Sequence, residues 1–303
     1  MLNIERLRVL RAVAEHGSVG AAADSLDVTS SAVSQQLSKL EREVGHQLVQ
    51  RSGRGVRLTD LALLLVGHAT RLLDDVERVE GELDAFAGEV AGAITIAAFP
   101  TAARGIGPTL LRQLGSDYPS LRAHLVELEP PEALGRLVSG DVDVVIVQDW
   151  YNAPMSMPPS TTRLALFDDL VDMAVPKSHR LARRRTVSFE DLLDEHWVTW
   201  PPGSICGDWL VHTFRLMGRE PDVVHTASEH ATQLVLVAAG LGVAVIPRLG
   251  RGTVPTGVSM VNVTPTLLRH VFAAWRTNTA KRSNVTAVQT ALQMIKAPLA
   301  ARR

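Results

Sequence analysis

Ser30, Ser31, Ser34, Gln35, Ser38 and Lys39 share one helical face of the stretch DVTSSAVSQQLSKLEREVG, residues 27–45. Val33, Leu37, Leu40 and Val44 form an apolar stripe on the other face. The polar face is nearly uncharged, whereas a merely solvated helix surface usually carries more Lys and Glu. Short hydroxyls and amides suit the matching of a donor and acceptor pattern. A Gln amide can pair with two edge groups of adenine at once. Nearby, Arg51, Arg54 and Arg57 cluster around the tetrapeptide SGRG, where charge can meet phosphate. The plainer alternative is an all-helical cap with a solvated face.

These residues need a scaffold, and residues 1–58 supply the signals of one. Leu7, Leu10, Val13 and Ala14 make a first helical stripe, which Gly17 stops. Ser18 is a good N-cap for VGAAADSL, and Leu26, Asp27 and Val28 make a tight connection to the opening stretch, capped by Thr29 or Ser30. Two short helices joined in this way form the helix-turn-helix pattern. The segment VGHQLVQRSGRGVRLT then reads as a small β-hairpin, a wing. From 59 to 88 the apolar positions step by three or four, close to a heptad seam. Leu65, Leu72, Val79 and Leu83 are the candidate dimerisation residues; the alternative is one amphipathic helix lying on its own domain.

From Gly92 the texture alternates between β-rich runs (AITIAAF, RAHLVEL, VDVVIVQ, LVDMAVP, HWVTW, GVAVIP, HVFAAWR) and helical segments at 104–115, 130–139, 188–194, 207–217, 228–239 and 283–296. That alternation predicts α/β units on a largely parallel sheet. The loop-like WYNAPMSMPPSTT divides them into two lobes, with ligands at strand carboxyl ends in the cleft between. The first lobe spans 92–165 and 267–303; the second spans 166–266. Two loop-to-helix passages face the predicted cleft, AAFPTAARGIGPTLL and TWPPGSICGDWL. A helix N-terminus with a hydroxyl suits a carboxylate or phosphate. The candidate contacts are Thr101, Ala102, Ser204 and Ile205, with Phe99, Gln148 and Trp200 as walls favouring an effector with hydrophobic bulk. Thr101 and Ser204 can equally serve only as helix caps.

Composition excludes several classes. The formal net charge is −1, so overall charge names no partner; residues 1–57 hold eight basic side chains against six acidic ones. The N-terminus lacks a signal-peptide core, no run is long enough to span a bilayer, and a single cysteine, Cys206, fits a reducing cytoplasm. The ten His residues are dispersed without metal-ligand spacing, and neither a dinucleotide fingerprint nor a P-loop is present. No metal site, cofactor or catalytic residue is therefore expected, and enzyme readings, a hydrolase on the α/β lobes among them, fare poorly.

At this level the chain resembles the LysR-type transcriptional regulators. The resemblance rests on GS-x-x-x-AA-x-x-L, AVS-x-Q-x-x-x-LE-x-x-x-G and L-x-x-R within the first sixty residues. DLVDMAVPKSHRLA and LVAAGLGVAVIPR are similar to that family's second lobe. The resemblance implies an N-terminal all-α winged helix-turn-helix, a long linker helix and a two-lobed effector domain resembling type 2 periplasmic binding proteins. It places Ser30, Ser31, Ser34 and Gln35 toward the major groove, and Arg51 and Arg54 near phosphates and the minor groove. It further implies an interrupted inverted repeat in double-stranded DNA, a homodimer or homotetramer, and a small-molecule effector between the lobes, with RNA polymerase as an open further partner. Three positions depart from the family pattern: Ser30-Ser31 stands where many members carry Gln-Pro, Val49 replaces an aromatic, and Ala62 replaces a Gly. The expected function is an effector-responsive, sequence-specific DNA-binding regulator. The competing class is a cytoplasmic small-molecule sensor or solute-binding protein acting through protein partners.

Overall fold

A computed structural model describes residues 2–52, 55–87 and 90–300. Helix α1 (Ile4–His16) starts at Asn3, whose side chain accepts from the Arg6 amide, and ends at Gly17 with φ 70°. Helix α2 (Val19–Ser25) is capped by Ser18 Oγ at 3.1 Å from the Ala21 amide. Asp27 takes φ 53° in the connection, a value that Asp tolerates better than most side chains. Thr29 then caps α3 (Ser30–Val44), accepting from the Ala32 amide at 3.2 Å. Val33, Leu37 and Leu40 of α3 are buried against Leu7, Leu10, Val13 and Ala22. The wing is β1 (Val49–Ser52) paired antiparallel with β2 (Gly55–Leu58). Glu41 Oε1 accepts from the Leu48 and Val49 amides at 2.8 and 3.1 Å, so α3 fixes the wing's root. The long helix α4 (Asp60–Ala87) is capped by Thr59 and lays Ala62 and Ala69 into the same core.

The remaining chain builds the two lobes. The first contains β3 (Gly92–Ala98), α5 (Pro100–Gly105), α6 (Gly107–Asp117), β4 (Leu121–Glu127), α7 (Pro130–Ser139) and β5 (Val144–Trp150). Strand β6 (Thr161–Pro176) then runs from the first lobe into the second. There follow β7 (Thr186–Val187), β8 (His196–Thr199), α8 (Ile205–Leu216), β9 (Asp222–Thr226), α9 (His230–Ala238), β10 (Ala244–Pro247) and β11 (Val258–Val263). Strand β12 (Leu268–Arg276) returns to the first lobe, which α10 (Ser283–Ala300) completes.

The strand order is β4-β3-β5-β12-β6-β11-β7, with β10 also on β6. β3 pairs parallel with β4 and β5, but β12 and β6 are antiparallel to each other, and β12 is antiparallel to β5. The sheet is therefore mixed rather than largely parallel, because β12 must retrace the path that β6 takes between lobes. Other expectations also shift. Strand β6 begins at Thr161, inside the expected loop, and 188–194 holds only a short 3-10 turn at Glu190–Leu192. β9 and β11 had no counterpart among the expected runs; every residue of β9 is exposed, so no alternating pattern marks it.

Candidate functional site

Helix α3 presents Ser30, Ser31, Ser34, Gln35, Ser38 and Lys39 to solvent on one face. The caps at Thr29 and Gly45, together with the buried Val33, Leu37 and Leu40, fix which face that is. A groove of about 430 Å³ runs between α3 and the wing, with Ser34 and Ser38 on one wall and Gln47 and Gln50 on the other. Those two amides were not among the sequence candidates; they flank the apolar pair Leu48-Val49 where the chain enters the wing. The side chain of Arg51 and all of Arg54 lie outside the described residues.

On α4, Ala62, Ala69 and Leu73 are buried within the chain, whereas Leu72, Val79 and Leu83 are exposed at 48%, 47% and 64%. Leu65 is half-buried on the edge of the winged-helix core. Three of the four seam candidates thus form a bare apolar line at seven- and four-residue spacing, a pattern that suits a facing helix.

The second site lies between the lobes, and its centre is a residue that sequence reading passed over. Arg269, on β12, is 1% exposed and makes three charge-assisted contacts. Its Nε donates to Asp169 Oδ2 at 2.8 Å, Nη1 to Gln148 Oε1 at 3.0 Å and Nη2 to Thr101 Oγ1 at 2.6 Å. Its guanidinium also stands 5.0 Å from the Phe99 ring centre, within cation–π reach. Gln148 Nε2 passes the chain of contacts on, donating to Cys206 Sγ at 3.2 Å. Burial raises the Asp169 carboxyl against the opposing pull of Arg269. Burial pushes the Cys206 thiol up to about 11, with Arg269 and the Gln148 contact pulling the other way. His230 is held neutral, lowered to about 3 by burial and then by Arg269, Arg104 and Arg251; its Nε2 is buried without a hydrogen-bond partner.

Five of the seven effector candidates, Phe99, Thr101, Gln148, Trp200 and Ser204, line one cavity of about 20 Å³. Cys206, His230, Ser228, Glu129 and Arg269 line it with them. Ile205 borders an adjoining cavity of about 340 Å³ at the cleft mouth, with Trp200, Ser204 and Glu129. Ala102 is wholly buried in the first lobe's core and lines neither. Ser204 caps α8, accepting from Gly207 and donating to the Pro201 carbonyl at 2.6 Å. The Thr101 hydroxyl receives Arg269, not a free ligand. Across the lobes Trp150 stacks on Trp209 of α8 at 3.8 Å, and Trp209 Nε1 donates to Asn152 Oδ1 at 2.8 Å, which braces α8 against the end of β5. A cavity of about 490 Å³ opens beside Asp149, Asp168 and His270, the strand neighbours of Gln148, Asp169 and Arg269. Adjacent strand residues point to opposite faces, so the same three strands border both sites.

Among the described residues no group of three His, Cys, Asp or Glu could hold a metal ion, and no helix is long and apolar enough to cross a membrane.

Comparison with known proteins bears on both sites. Residues 4–63 match the model of the bacterial regulatory helix-turn-helix protein, lysR family, and residues 87–297 match the LysR substrate binding domain. The hydrogen peroxide-inducible genes activator of Pectobacterium carotovorum subsp. carotovorum is 31% identical over 249 residues, 82% of this chain and 80% of that one. The regulator XapR of Escherichia coli is 29% identical over 244 residues, covering 80% of this chain and 82% of its own. Among solved structures, a full-length OxyR variant from Pseudomonas aeruginosa superposes with a TM-score of 0.71 at 22% identity, covering 97% of this chain and 98% of that one. An OxyR mutant from Corynebacterium glutamicum with H2O2 bound gives a TM-score of 0.61 at 26% identity, over 99% of this chain and 94% of that one. The helical reader, the long helix and the two-lobed α/β region are thus those of one family: the chain belongs to the LysR-type transcriptional regulators, DNA-binding and effector-responsive, and is not an enzyme.

Proposed function

We propose that α3 reads the major groove through Ser30, Ser31, Ser34 and Gln35, while Lys39 and the wing's Arg51 and Arg54 meet phosphate. The target is an interrupted inverted repeat, read in the cytoplasm by a homo-oligomer whose α4 helices pair along Leu65, Leu72, Val79 and Leu83. The exposure of the whole polar face of α3, with its apolar face locked in the core, supports this reading. Gln35→Ala is expected to relax base preference at one half-site position and cost about 1–3 kcal/mol there. Binding to a panel of singly substituted duplexes checks this, and an unchanged selectivity profile removes Gln35 from the reading set.

The effector is taken between the lobes. One observation carries this: the cavity is enclosed by Thr101 and Gln148 from one lobe and by Ser204 and His230 from the other, so an occupant sets their separation. At about 20 Å³ the closed cavity admits a molecule the size of water. An organic effector therefore enters only an opened arrangement and acts by binding that arrangement more tightly than the closed one. A thermal-shift screen of small acids and amino acids against the full chain tests it. A binder raises the midpoint by mass action, and the rise is expected to vanish in Gln148→Ala. A rise retained in that variant places the ligand elsewhere.

A second reading is favoured by one feature of the same cavity, the Cys206 sulfur facing a water-sized space. The relatives named for hydrogen peroxide, and the solved relative with H2O2 bound, suggest peroxide as the occupant. The sulfur would attack one peroxide oxygen, forming an S–O bond as the O–O bond breaks. The thiol proton would leave with the departing hydroxide as water. Burial keeps the thiol protonated at neutral pH, so the reaction is expected to be slow. Mass spectrometry of the peroxide-treated chain should show one added oxygen on Cys206; no addition there dismisses peroxide as the effector.

A further inference from the structure

Arg11 is a charged residue of the DNA-binding unit that the reading face does not use, yet it is 7% exposed. Its Nη2 donates to the Ser139 carbonyl at 2.8 Å, across 128 positions of sequence. Ser139 is the last residue of α7. The final carbonyls of a helix have no partner inside it and carry the negative end of its dipole. Arg11 meets both needs from another domain. Arg276 grips the same helix end from the first lobe, donating to Leu137 and Val142 carbonyls at 2.7 and 3.0 Å. Glu15 stands 3.7 Å from Arg11, and His16 stands 3.9 Å from Asp141, just past the helix end.

Helix α7 is itself a fixed part of the first lobe, since Ala133, Leu134 and Leu137 pack with Ala97, Val145 and Phe272. Its opposite end begins at Glu129, which borders the inter-lobe cavity beside Ser204 and Ser228. The polar face of α3 remains exposed in this arrangement, so the contact orients the reader without hiding it.

We propose that Arg11 is the positioning residue that fixes the DNA-binding unit on the first lobe, so that lobe movement reaches DNA as a change in the separation of half-sites. The inference rests on the reading of α3 as the DNA-contacting helix and α4 as the oligomer seam.

The test uses the full chain on two kinds of duplex carrying sequence selected by the wild-type protein. One kind holds a single half-site; the other holds two half-sites with the spacer stepped one base pair at a time through a helical turn of about 10 base pairs. Wild-type affinity for the paired sites is expected to vary at least about fivefold with spacing. In Arg11→Ala the variation should fall below about twofold while single half-site affinity stays unchanged. Asp141→Arg, which puts a cation against His16, Arg11 and Arg276 from the first lobe's side, should flatten the profile in the same way. It leaves α1 intact and carries the test if Arg11→Ala does not fold. A wild-type spacing profile in the folded variants overturns the proposal. So does equal loss on single and paired sites in Arg11→Ala, which would confine Arg11 to the unit's own fold. Failure of the wild-type protein to bind any half-site overturns the reading of α3, and this proposal falls with it.

Discussion

Arg269→Met is expected to lower stability by about 3–5 kcal/mol, the typical cost of stripping one partner from a buried ion pair. Asp169 is 5% exposed, and Arg269 is its only salt-bridge partner among the described residues. Gln148 and Thr101 lose their guanidinium donor in the same change. The deficit should depend on pH in a defined direction. Burial already raises Asp169 above its ordinary value, and removing Arg269 takes away the largest opposing pull. A carboxyl whose folded pKa is raised takes up its proton in the folded state first, so stability increases as pH falls through that window. The variant should therefore approach the wild type on acidification from neutral pH. Adding Asp169→Leu should recover much of the loss at neutral pH, because an apolar pair of similar volume replaces the uncompensated charge. Denaturant titrations of the three proteins at two pH values check all of this; equal stability of Arg269→Met and wild type at neutral pH would show that the ion pair is not the floor of the site.

Leu72→Asp combined with Val79→Asp is expected to convert the oligomer into a smaller species. Both side chains are about half exposed in the single chain, so the change costs little within the protomer. In a paired helix each would lose roughly 1.5–3 kcal/mol of apolar burial and place a carboxylate against its counterpart. Mass in solution by light scattering should fall, while the far-ultraviolet helix signal is retained. An unaltered mass would refute the α4 seam and leave Leu72, Val79 and Leu83 as solvated residues of a lone helix.

The winged helix was legible because its boundaries are local chemistry. Gly17 and Gly45 adopt positive φ, and Ser18 and Thr29 cap the helices that follow. The long helix was legible through its spacing, although which face stays bare depends on Ala62, Ala69 and Leu73 packing into the rest of the chain. The inter-lobe site was legible at its rims and, in its interior, at Gln148. Phe99, Thr101, Trp200 and Ser204 lie where strands give way to helices, a place that sequence marks. Arg269 lies within a strand, and its partner Asp169 is 100 positions away, so only the β12–β6 register joins them. A charged residue next to the apolar run HVFAAW, with the Asp168-Asp169 pair in another strand, was the available signal. The same limit applies to Arg11, whose partner is a backbone carbonyl and therefore invisible to any residue pattern. Sheet direction failed for a related reason, since the strands that cross between lobes look locally like any others.

Base reading by α3 and phosphate contact by the wing should be separable in solution. The sharpest measurement of that separation is a salt titration of the full chain on its own upstream DNA and on a scrambled duplex of equal length. Affinity for the upstream DNA should exceed that for the scrambled duplex. Its logarithm should fall linearly with the logarithm of salt, by about 0.9 for each phosphate neutralised. Gln35→Ala should shrink the gap between duplexes without changing the slope, and Arg51→Ala should reduce the slope while leaving the gap. Equal affinity for both duplexes, or binding indifferent to salt, would contradict the account.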